Sequence, residues 1–311
     1  MPAFRPIGVA SVIAETPDAV SLVLNTTFDY LPGQYLTVRT PAGARCYSLA
    51  SCPFTDPAPK VTVKRVRGGQ VSNWICDNVR PGDTLDVAGP AGTFTPGSLD
   101  DDLLLLAGGS GITPIMGIIK AVRARGHGDL SLVYANRDRD SVIFGSELAG
   151  LLPVTHWLDS ERGVPTADAL AGVLRPYADR EAFLCGPEAF VAVAEKALQL
   201  AGVPVDRIRV ERFEIEPVDS QAAIAEVSID GQTHVLPWAP GKRLLDVIID
   251  AGLNPPYSCR QGQCGACAVR MTSGEVDLVN NEILEEEDFA EGYILACQAV
   301  PRSDRVTVTY Y

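Results

Sequence analysis

Hydrophobic positions change their period twice along the chain. Up to about residue 98, the stretches VSLVLNT, QYLTVRT, ARCYSLA, KVTVKRV and DTLDVAG run between Pro- and Gly-containing turns. Short, regularly spaced strands of this kind predict an antiparallel barrel or sandwich. From about 102 to 213 the apolar runs LLLLA, LSLVYA, VTHWL, AFLCG and IRVERF alternate with helix-like stretches such as PIMGIIKAVRAR and PEAFVAVAEKALQLAG. Strand and helix in alternation predict a parallel α/β sheet. The polar, proline-containing stretch EIEPVDSQA, 214–222, reads as a linker. After it, AEVSIDGQTHVLPW predicts a hairpin turning at Asp230-Gly231, then an amphipathic helix around RLLDVIIDAG, a cysteine-rich loop and a closing strand DRVTVTYY. No internal repeat or low-complexity run interrupts the pattern.

Composition narrows the classes. At 311 residues, 46% hydrophobic, the chain has length for two or three domains and material for several cores. No stretch approaches the roughly 20 apolar residues of a membrane span, and MPAFRPIGVA lacks the apolar run of a signal peptide, so a soluble cytoplasmic protein is expected. The net charge of −13, from 26 basic and 39 acidic residues, argues against nucleic acid or an anionic membrane as partner. It suits solubility and steering toward a basic protein surface alike. Cys46, Cys52, Cys76 and Cys185 have no disulfide-framework spacing, in keeping with a reducing compartment.

The other four cysteines carry the sharpest signal. Cys259, Cys264 and Cys267 in YSCRQGQCGAC, with Cys297 in ILACQAV, form C-x4-C-x2-C and one distant cysteine, the plant-type [2Fe-2S] ligand spacing. Gly262 and Gly265 let the loop fold closely around a cluster whose charge needs thiolates and backbone N–H donors. A structural zinc also takes four cysteines, but usually as two close pairs. The pattern therefore favours a carrier of single electrons.

In LLLLAGGSGITPIMGIIKAV a buried strand enters a glycine turn and a helix, with Thr113 predicted at the N-cap and Pro114 at the first helical position. Free N–H groups there suit a pyrophosphate, although Gly109-x-Gly111-x-x-Pro114 is not the full dinucleotide fingerprint and tight turns also need glycine. A second strand edge carries Phe183-Leu184-Cys185-Gly186-Pro187, where Cys185 read alone is a buried core thiol. On the strand Arg45-Cys46-Tyr47-Ser48-Leu49, alternation puts Arg45, Tyr47 and Leu49 on one face. A cation for phosphate and an aromatic for a ring is one reading, ordinary barrel packing the other. Arg67-Gly68-Gly69-Gln70-Val71-Ser72 predicts a helix opening with Ser72 as cap, a second phosphate candidate.

Taken in order, RCYSL, GGQVS, AGGSGITP, LCGP and C-x4-C-x2-C…C resemble, over essentially the whole chain, the ferredoxin-NADP reductase-like flavin oxygenase reductases with a carboxyl-terminal plant-type [2Fe-2S] ferredoxin domain. RCYSLAS, SNWICD, LVYANRDRDSVIF and EGYILACQAVPRSD are most similar to the subgroup serving steroid hydroxylases, with phenylacetyl-CoA epoxidase reductases next. The resemblance implies a multidomain α+β and α/β protein: an antiparallel flavin-binding β-barrel over 1–101, a parallel α/β nicotinamide-binding domain over 102–213, the linker over 214–222, and a β-grasp ferredoxin domain over 223–311.

It further implies that Arg45 pairs with flavin phosphate, that Tyr47 packs on the isoalloxazine, and that Ser48 bonds near flavin N5 with Leu49 beside it. Gly69 and Ser72 would contact the pyrophosphate. Gly109, Gly111, Thr113 and Pro114 would hold the nicotinamide nucleotide, Cys185 and Gly186 would flank the nicotinamide, and Phe213 would cover the flavin. Ser48 and Cys185 are the implied catalytic residues, and Cys259, Cys264, Cys267 and Cys297 the metal ligands. FAD is favoured over FMN, and NADH over NADPH, although Arg137 in Asn136-Arg137-Asp138-Arg139 stands where an adenosine ribose would lie. His127, His156 and His234 match no catalytic position.

The expected activity is that of an NADH-dependent oxidoreductase passing electrons through flavin and cluster to a terminal oxygenase of the Rieske non-haem iron type. The acidic residues Glu282, Glu285, Glu286, Glu287, Asp288 and Glu291 suggest its docking surface near the cluster, against the plainer reading of a solvated helix face. A di-iron monooxygenase or epoxidase system is the alternative partner. A zinc or electron-carrier module without enzymatic activity is the alternative of another class.

Overall fold

The computed structural model describes residues 4–66, 69–213, 220–257, 260, 262, 264–281 and 283–310. The chain divides into two compact units, Phe4–Glu214 and Ile215–Tyr311. The predicted linker lies largely outside the described residues, as do Arg67, Gly68, Cys259 and Glu282.

The first unit begins with β1 (Arg5–Thr16), β2 (Ala19–Leu24), β3 (Tyr35–Thr40), β4 (Gly43–Ser48), β5 (Lys60–Lys64), α1 (Gln70–Asn78) and β6 (Thr84–Ala91). All its strand pairs are antiparallel, in the order β4-β3-β6-β1-β2-β5. A bridge between Leu49 and Val61 joins the two edges, so the sheet closes as the alternating pattern predicts. Leu22, Leu24, Leu36, Val38, Val61 and Val63 fill the inside, with Val71 and Ile75 of α1 packed onto it. β1 is absent from the pattern reading, since Gly8, a register shift between Val9 and Ser11, and mostly wet side chains blur its alternation.

The α/β part contains β7 (Leu103–Gly108), α2 (Ile112–Arg125), β8 (Leu130–Asn136), α3 (Gly145–Ala149), β9 (Val154–Leu158), α4 (Asp159–Arg162), α5 (Ala167–Leu174), β10 (Glu181–Gly186), α6 (Glu188–Ala201) and β11 (Ile208–Arg212). The strands are parallel in the order β11-β10-β7-β8-β9. Every residue of β7 is buried, as a central parallel strand with both faces covered requires. Leu103 and Leu105 face the α2 side, and Leu104 and Leu106 face α5 and α6. The strand order reverses between β7 and β10, which places the ligand crevice of such a sheet at their carboxyl ends.

The expected boundary near residue 101 falls inside one body. Ala19, Ala50 and Phe94 of the barrel belong to the same apolar core as Ile112, Ile115 and Ile118 of α2. Phe94 meets Phe183 edge to face, with ring centroids 5.1 Å apart. A Cβ on Gly117 would lie 2.7 Å from the Leu49 carbonyl oxygen, so α2 touches the barrel backbone only because that side chain is missing. Polar contacts add to this. Lys120 of α2, its side chain 11% exposed, reaches Asp56 of the barrel at 3.0 Å and Glu147 at 2.5 Å, while Lys60 of β5 reaches Glu147 at 3.3 Å.

The second unit contains β12 (Ala223–Ile229), β13 (Gln232–Trp238), α7 (Leu244–Asp250), β14 (Ala268–Ser273), β15 (Val276–Leu278), α8 (Glu286–Ala290), β16 (Tyr293–Leu295), β17 (Ala299–Pro301) and β18 (Arg305–Thr309). Its sheet runs β13-β12-β18-β14-β16 with β12 and β18 parallel, the β-grasp order, and α7 buries Leu244, Leu245, Val247 and Ile248 in its core. The hairpin turns at Asp230 and Gly231, both at positive φ, with Ile229 paired to Gln232.

Burial pushes the Lys120 pKa down, but the hydrogen bonds and charges of Glu147 and Asp56 outweigh it and leave it above the ordinary lysine value. Its contribution is therefore complete below the ordinary lysine range and is lost as pH rises through the raised value. Lys120→Met is expected to lower the unfolding free energy of the chain by about 1–3 kcal/mol at neutral pH, measured by chemical denaturation. The difference from the parent should shrink above about pH 10.5.

Candidate functional site

Three pieces of the first unit converge on the crevice at the strand ends. The glycine turn after β7 opens with Gly109 at φ 50°, and α2 begins at Ile112 with Gly111 as its N-cap. Thr113 and Pro114 are thus the second and third helical residues, deeper in the helix than predicted. The Thr113 hydroxyl donates back to the Ser110 carbonyl at 3.0 Å, which fixes the turn without capping the helix. A Cβ on Gly111 would stand 2.1 Å from the Cys185 carbonyl oxygen, and one on Gly186 would stand 3.1 Å from the Gly108 backbone. The two edges predicted separately from AGGSGITP and LCGP therefore meet, backbone against backbone.

Cys185 is fully buried, with its side chain among the apolar residues on the α2 side. Burial, reinforced by the Glu211 carboxylate, pushes its thiol well up, so the sulfur is neutral at any physiological pH. Phe213, just past β11, packs half-buried against the same core.

On the barrel, Arg45 is exposed and donates to the Ala44 carbonyl at 2.9 Å. Tyr47 leans half-buried on the barrel core, and burial, against a smaller opposing effect of Arg45, pushes its phenol up. Ser48 is 2% exposed and its Oγ has no hydrogen-bond partner among the described residues. An unpartnered buried hydroxyl costs free energy unless something else bonds it, so Ser48 fits a site completed by a ligand. Gly69 is the N-cap of α1, and Ser72, predicted as the cap, lies in the first turn instead, accepting from the Val66 N–H at 3.4 Å. A Cβ on Gly69 would sit 2.7 Å from the Ser72 hydroxyl and 3.1 Å from the Val66 carbonyl oxygen, so a side chain here would have to displace that hydroxyl.

Some contributors escaped the sequence reading. A Cβ built on Gly109 would sit 3.5 Å from the Lys64 ammonium, which places a barrel cation beside the glycine turn. Asp18 holds Lys64 at 3.9 Å and Arg137 at 3.4 Å. Tyr134 of β8 donates to the Gly109 carbonyl at 3.0 Å and accepts from the Ile143 N–H at 3.3 Å. Tyr134 and Arg137 fall within LVYANRDRDSVIF, but nothing in that stretch points to Gly109 or Asp18; the signal for Lys64 is its place at the end of β5, just ahead of the glycine-opened α1. His127 is an exposed loop residue bonded to Asp100, as expected of a Gly-His-Gly turn.

In the second unit, strand register assembles the cysteines. Ala268 of β14 pairs with Leu295 of β16, which brings Cys267 and Cys297 together just beyond the paired ends. The Cys297 N–H points to the Cys267 sulfur at 3.5 Å, and the two residues are 3% and 2% exposed. Cys264 is half-buried, and Gly262 and Gly265 sit at φ 81° and 67°, as the tight loop requires. Cys259 lies outside the described residues, among which no group of three metal-ligating side chains is gathered. Buried sulfurs receiving N–H groups fit an iron–sulfur cluster. Of the acidic run, α8 uses Glu285 and Asp288 as a capping box and leaves Glu286, Glu287 and Glu291 exposed. Ile283, just before it, lies 3.7 Å from a Cβ placed on Gly265, so the run adjoins the cysteine loop.

A barrel joined to a nucleotide sheet, with a β-grasp cysteine loop on the same chain, defines a flavin- and nicotinamide-dependent reductase fused to an iron–sulfur carrier. Family models agree piece by piece: an oxidoreductase FAD-binding domain matches residues 16–95, an oxidoreductase NAD-binding domain 105–196, and a 2Fe-2S iron-sulfur cluster binding domain 227–302. The chain is 47% identical to the 3-ketosteroid-9-alpha-monooxygenase ferredoxin reductase component of Mycolicibacterium smegmatis, over 97% of this chain and 96% of that protein. It is 30% identical to one component of the 1,2-phenylacetyl-CoA epoxidase of Escherichia coli, over 100% and 98%. The solved phthalate dioxygenase reductase superposes with a TM-score of 0.71 at 24% identity, over 99% and 98%, and shows the same fold. The chain belongs to the family of ferredoxin reductase components of multicomponent monooxygenases, oxidoreductases with FAD, NAD and 2Fe-2S domains. Among the described residues, no helix is long and apolar enough to cross a membrane.

Because the Ser48 hydroxyl has no partner among the described residues, Ser48→Ala should leave the flavin-free protein as stable as the parent or up to about 1 kcal/mol more so, read by thermal denaturation. The same change should weaken FAD retention up to about tenfold, the equivalent of one hydrogen bond, read by flavin fluorescence on dilution.

Proposed function

We propose that this chain takes electrons from NADH through FAD and a [2Fe-2S] cluster to a terminal oxygenase of the Rieske non-haem iron type that acts on a 3-ketosteroid. The ketosteroid is drawn from the relatives' names. The observation that carries the electron path is the single core shared by barrel and nucleotide sheet, which fixes Ser48 and the Gly109–Cys185 crevice in one body. The cofactors supply the redox chemistry, a two-electron hydride split into single electrons. The protein's part is to hold the two rings in reacting geometry.

In this reading Arg45, Gly69 and Ser72 hold the flavin phosphates, Tyr47 and Leu49 support the isoalloxazine, Phe213 covers it, and Ser48 donates to N5. Gly109, Gly111, Thr113 and Pro114 cradle the nicotinamide nucleotide, with Lys64 offering a cation to its phosphates. Cys185 and Gly186 give the nicotinamide a small, uncharged neighbour. Cys259, Cys264, Cys267 and Cys297 ligate the cluster. Domain limits of 1–101, 102–213 and 223–311, with the linker at 214–222, accompany this assignment, as does a cytoplasmic location.

Anaerobic NADH is expected to bleach both flavin and cluster absorbance in stoichiometric amounts; flavin reduction beside an intact cluster that stays oxidised would contradict the path. The proposed dock for the oxygenase is the exposed acidic run beside the cysteine loop, worked through charges that salt screens over about 10 Å at 0.1 M. Electron delivery to a purified Rieske oxygenase should accordingly slow as ionic strength rises, and a rate indifferent to salt would remove the acidic dock. Delivery to a di-iron oxygenase in its place would reverse the choice of partner.

A further inference from the structure

Beneath the cysteine loop lie two buried polar side chains with no part in the assignments above. Gln298 is 1% exposed and Arg243 4%. The Gln298 Nε2 donates to the Arg260 carbonyl at 2.8 Å and to the Cys297 sulfur at 3.4 Å. Its Oε1 accepts from the Arg243 guanidinium at 2.6 Å, and the same guanidinium nitrogen donates to the Cys297 carbonyl at 3.2 Å. These partners fix the amide's orientation, which geometry alone leaves ambiguous. A guanidinium only donates, so the amide oxygen must face Arg243; a carbonyl only accepts, so the nitrogen must face Arg260 and, with it, the sulfur.

We infer that Gln298, oriented by Arg243, is a tuning residue that raises the reduction potential of the cluster through an N–H···S hydrogen bond to Cys297. This rests on the reading of Cys297 as a cluster ligand. Reduction adds a negative charge that is shared onto the ligand sulfurs, so a donor aimed at one of them stabilises the reduced form more than the oxidised form. Burial keeps water from screening the effect. The rival account, that the amide merely ties the loop through the Arg260 carbonyl, predicts a change in iron retention and none in potential.

The test uses the full-length holoprotein. Gln298→Leu keeps the size and removes the donor, and iron per chain with the oxidised visible spectrum shows first whether the cluster is intact. With both equal to the parent, the ratio of reduced to oxidised cluster at a fixed poise is expected to fall about tenfold, a midpoint about 59 mV lower for a one-electron couple. An unchanged midpoint overturns the inference. Arg243→Met is expected to lower the midpoint less in the Gln298→Leu background than in the parent, and an equal drop in both removes the orienting role.

Should Gln298→Leu lose its iron, Gln298→Met, which is also uncharged, of similar length and without a donor, gives the same midpoint measurement. Pulsed electron paramagnetic resonance on the reduced parent protein, labelled with 15N in its glutamine side chains, is expected to show a side-chain nitrogen coupling that persists when Gln261 and Gln263, which stand between Cys259 and Cys264, are both changed to Leu, and its absence overturns the inference. A parent protein holding zinc, or no iron, fails the ligand reading itself and takes the inference with it.

Discussion

Everything in the first unit depends on backbones that touch where side chains are missing. Gly111 lies against the Cys185 carbonyl and Gly117 against the Leu49 carbonyl, each closer than a Cβ would permit. The first contact joins the two strand edges whose reversal of order makes the crevice. The second seats α2 on the barrel, so that the residues proposed for flavin and those proposed for nicotinamide are placed by one core. Hydride transfer is sensitive to misplacement of about an ångström, and a packed core transmits position far better than a hinge. The Lys120, Asp56, Glu147 and Lys60 network spans the same seam.

The second unit solves a different problem with the same economy. A cluster needs sulfurs gathered, shielded and supplied with N–H donors. The register of β14 on β16 delivers Cys267 and Cys297 together, and the positive φ of Gly262 and Gly265 turns the loop over them. Arg243 and Gln298 then fill the polar demand beneath. A buried guanidinium is costly unless its donors are used, and here two of its partners, the Gln298 amide oxygen and the Cys297 carbonyl, belong to the cysteine segment itself. Holding the loop and biasing its chemistry are thus done by the same atoms.

The sequence made the elements legible where one local rule dominates. The Asp230-Gly231 turn, the all-apolar β7 and the parallel alternation were readable because turn chemistry and burial point the same way. Helix openings were misjudged by two residues at α2 and three at α1, because the obvious capping residues, Thr113 and Ser72, lie inside the helix and spend their hydroxyls on backbone that precedes it, while glycines take the cap positions. β1 was missed through its irregular register. Lys64 and Tyr134 were unreadable for another reason: each acts on Gly109 across tertiary contacts that no spacing encodes. The four-cysteine spacing named a cluster, but Gln298 and Arg243, 55 residues apart, meet only in the fold.

Burial also sorts the charges. The side chains proposed to lie nearest the reacting rings carry none at physiological pH: the Cys185 thiol and the Tyr47 phenol are both pushed up, chiefly by desolvation, and Ser48 is a neutral hydroxyl. Fixed cations stand at the periphery, with Lys64 beside the glycine turn, Arg137 on Asp18 and Arg45 at the barrel surface. That separation suits a ligand whose phosphates are anionic and whose reacting ring passes a hydride. Charge at the phosphates strengthens binding equally in ground and transition states, whereas an ionised neighbour at the ring would favour one redox state over the other and bias the transfer. With those side chains neutral, that bias falls to the hydrogen bonds aimed at the rings and to the buried Glu211 carboxylate behind Cys185, which is why a hydroxyl such as that of Ser48, with no partner among the described residues, carries so much of the site's meaning.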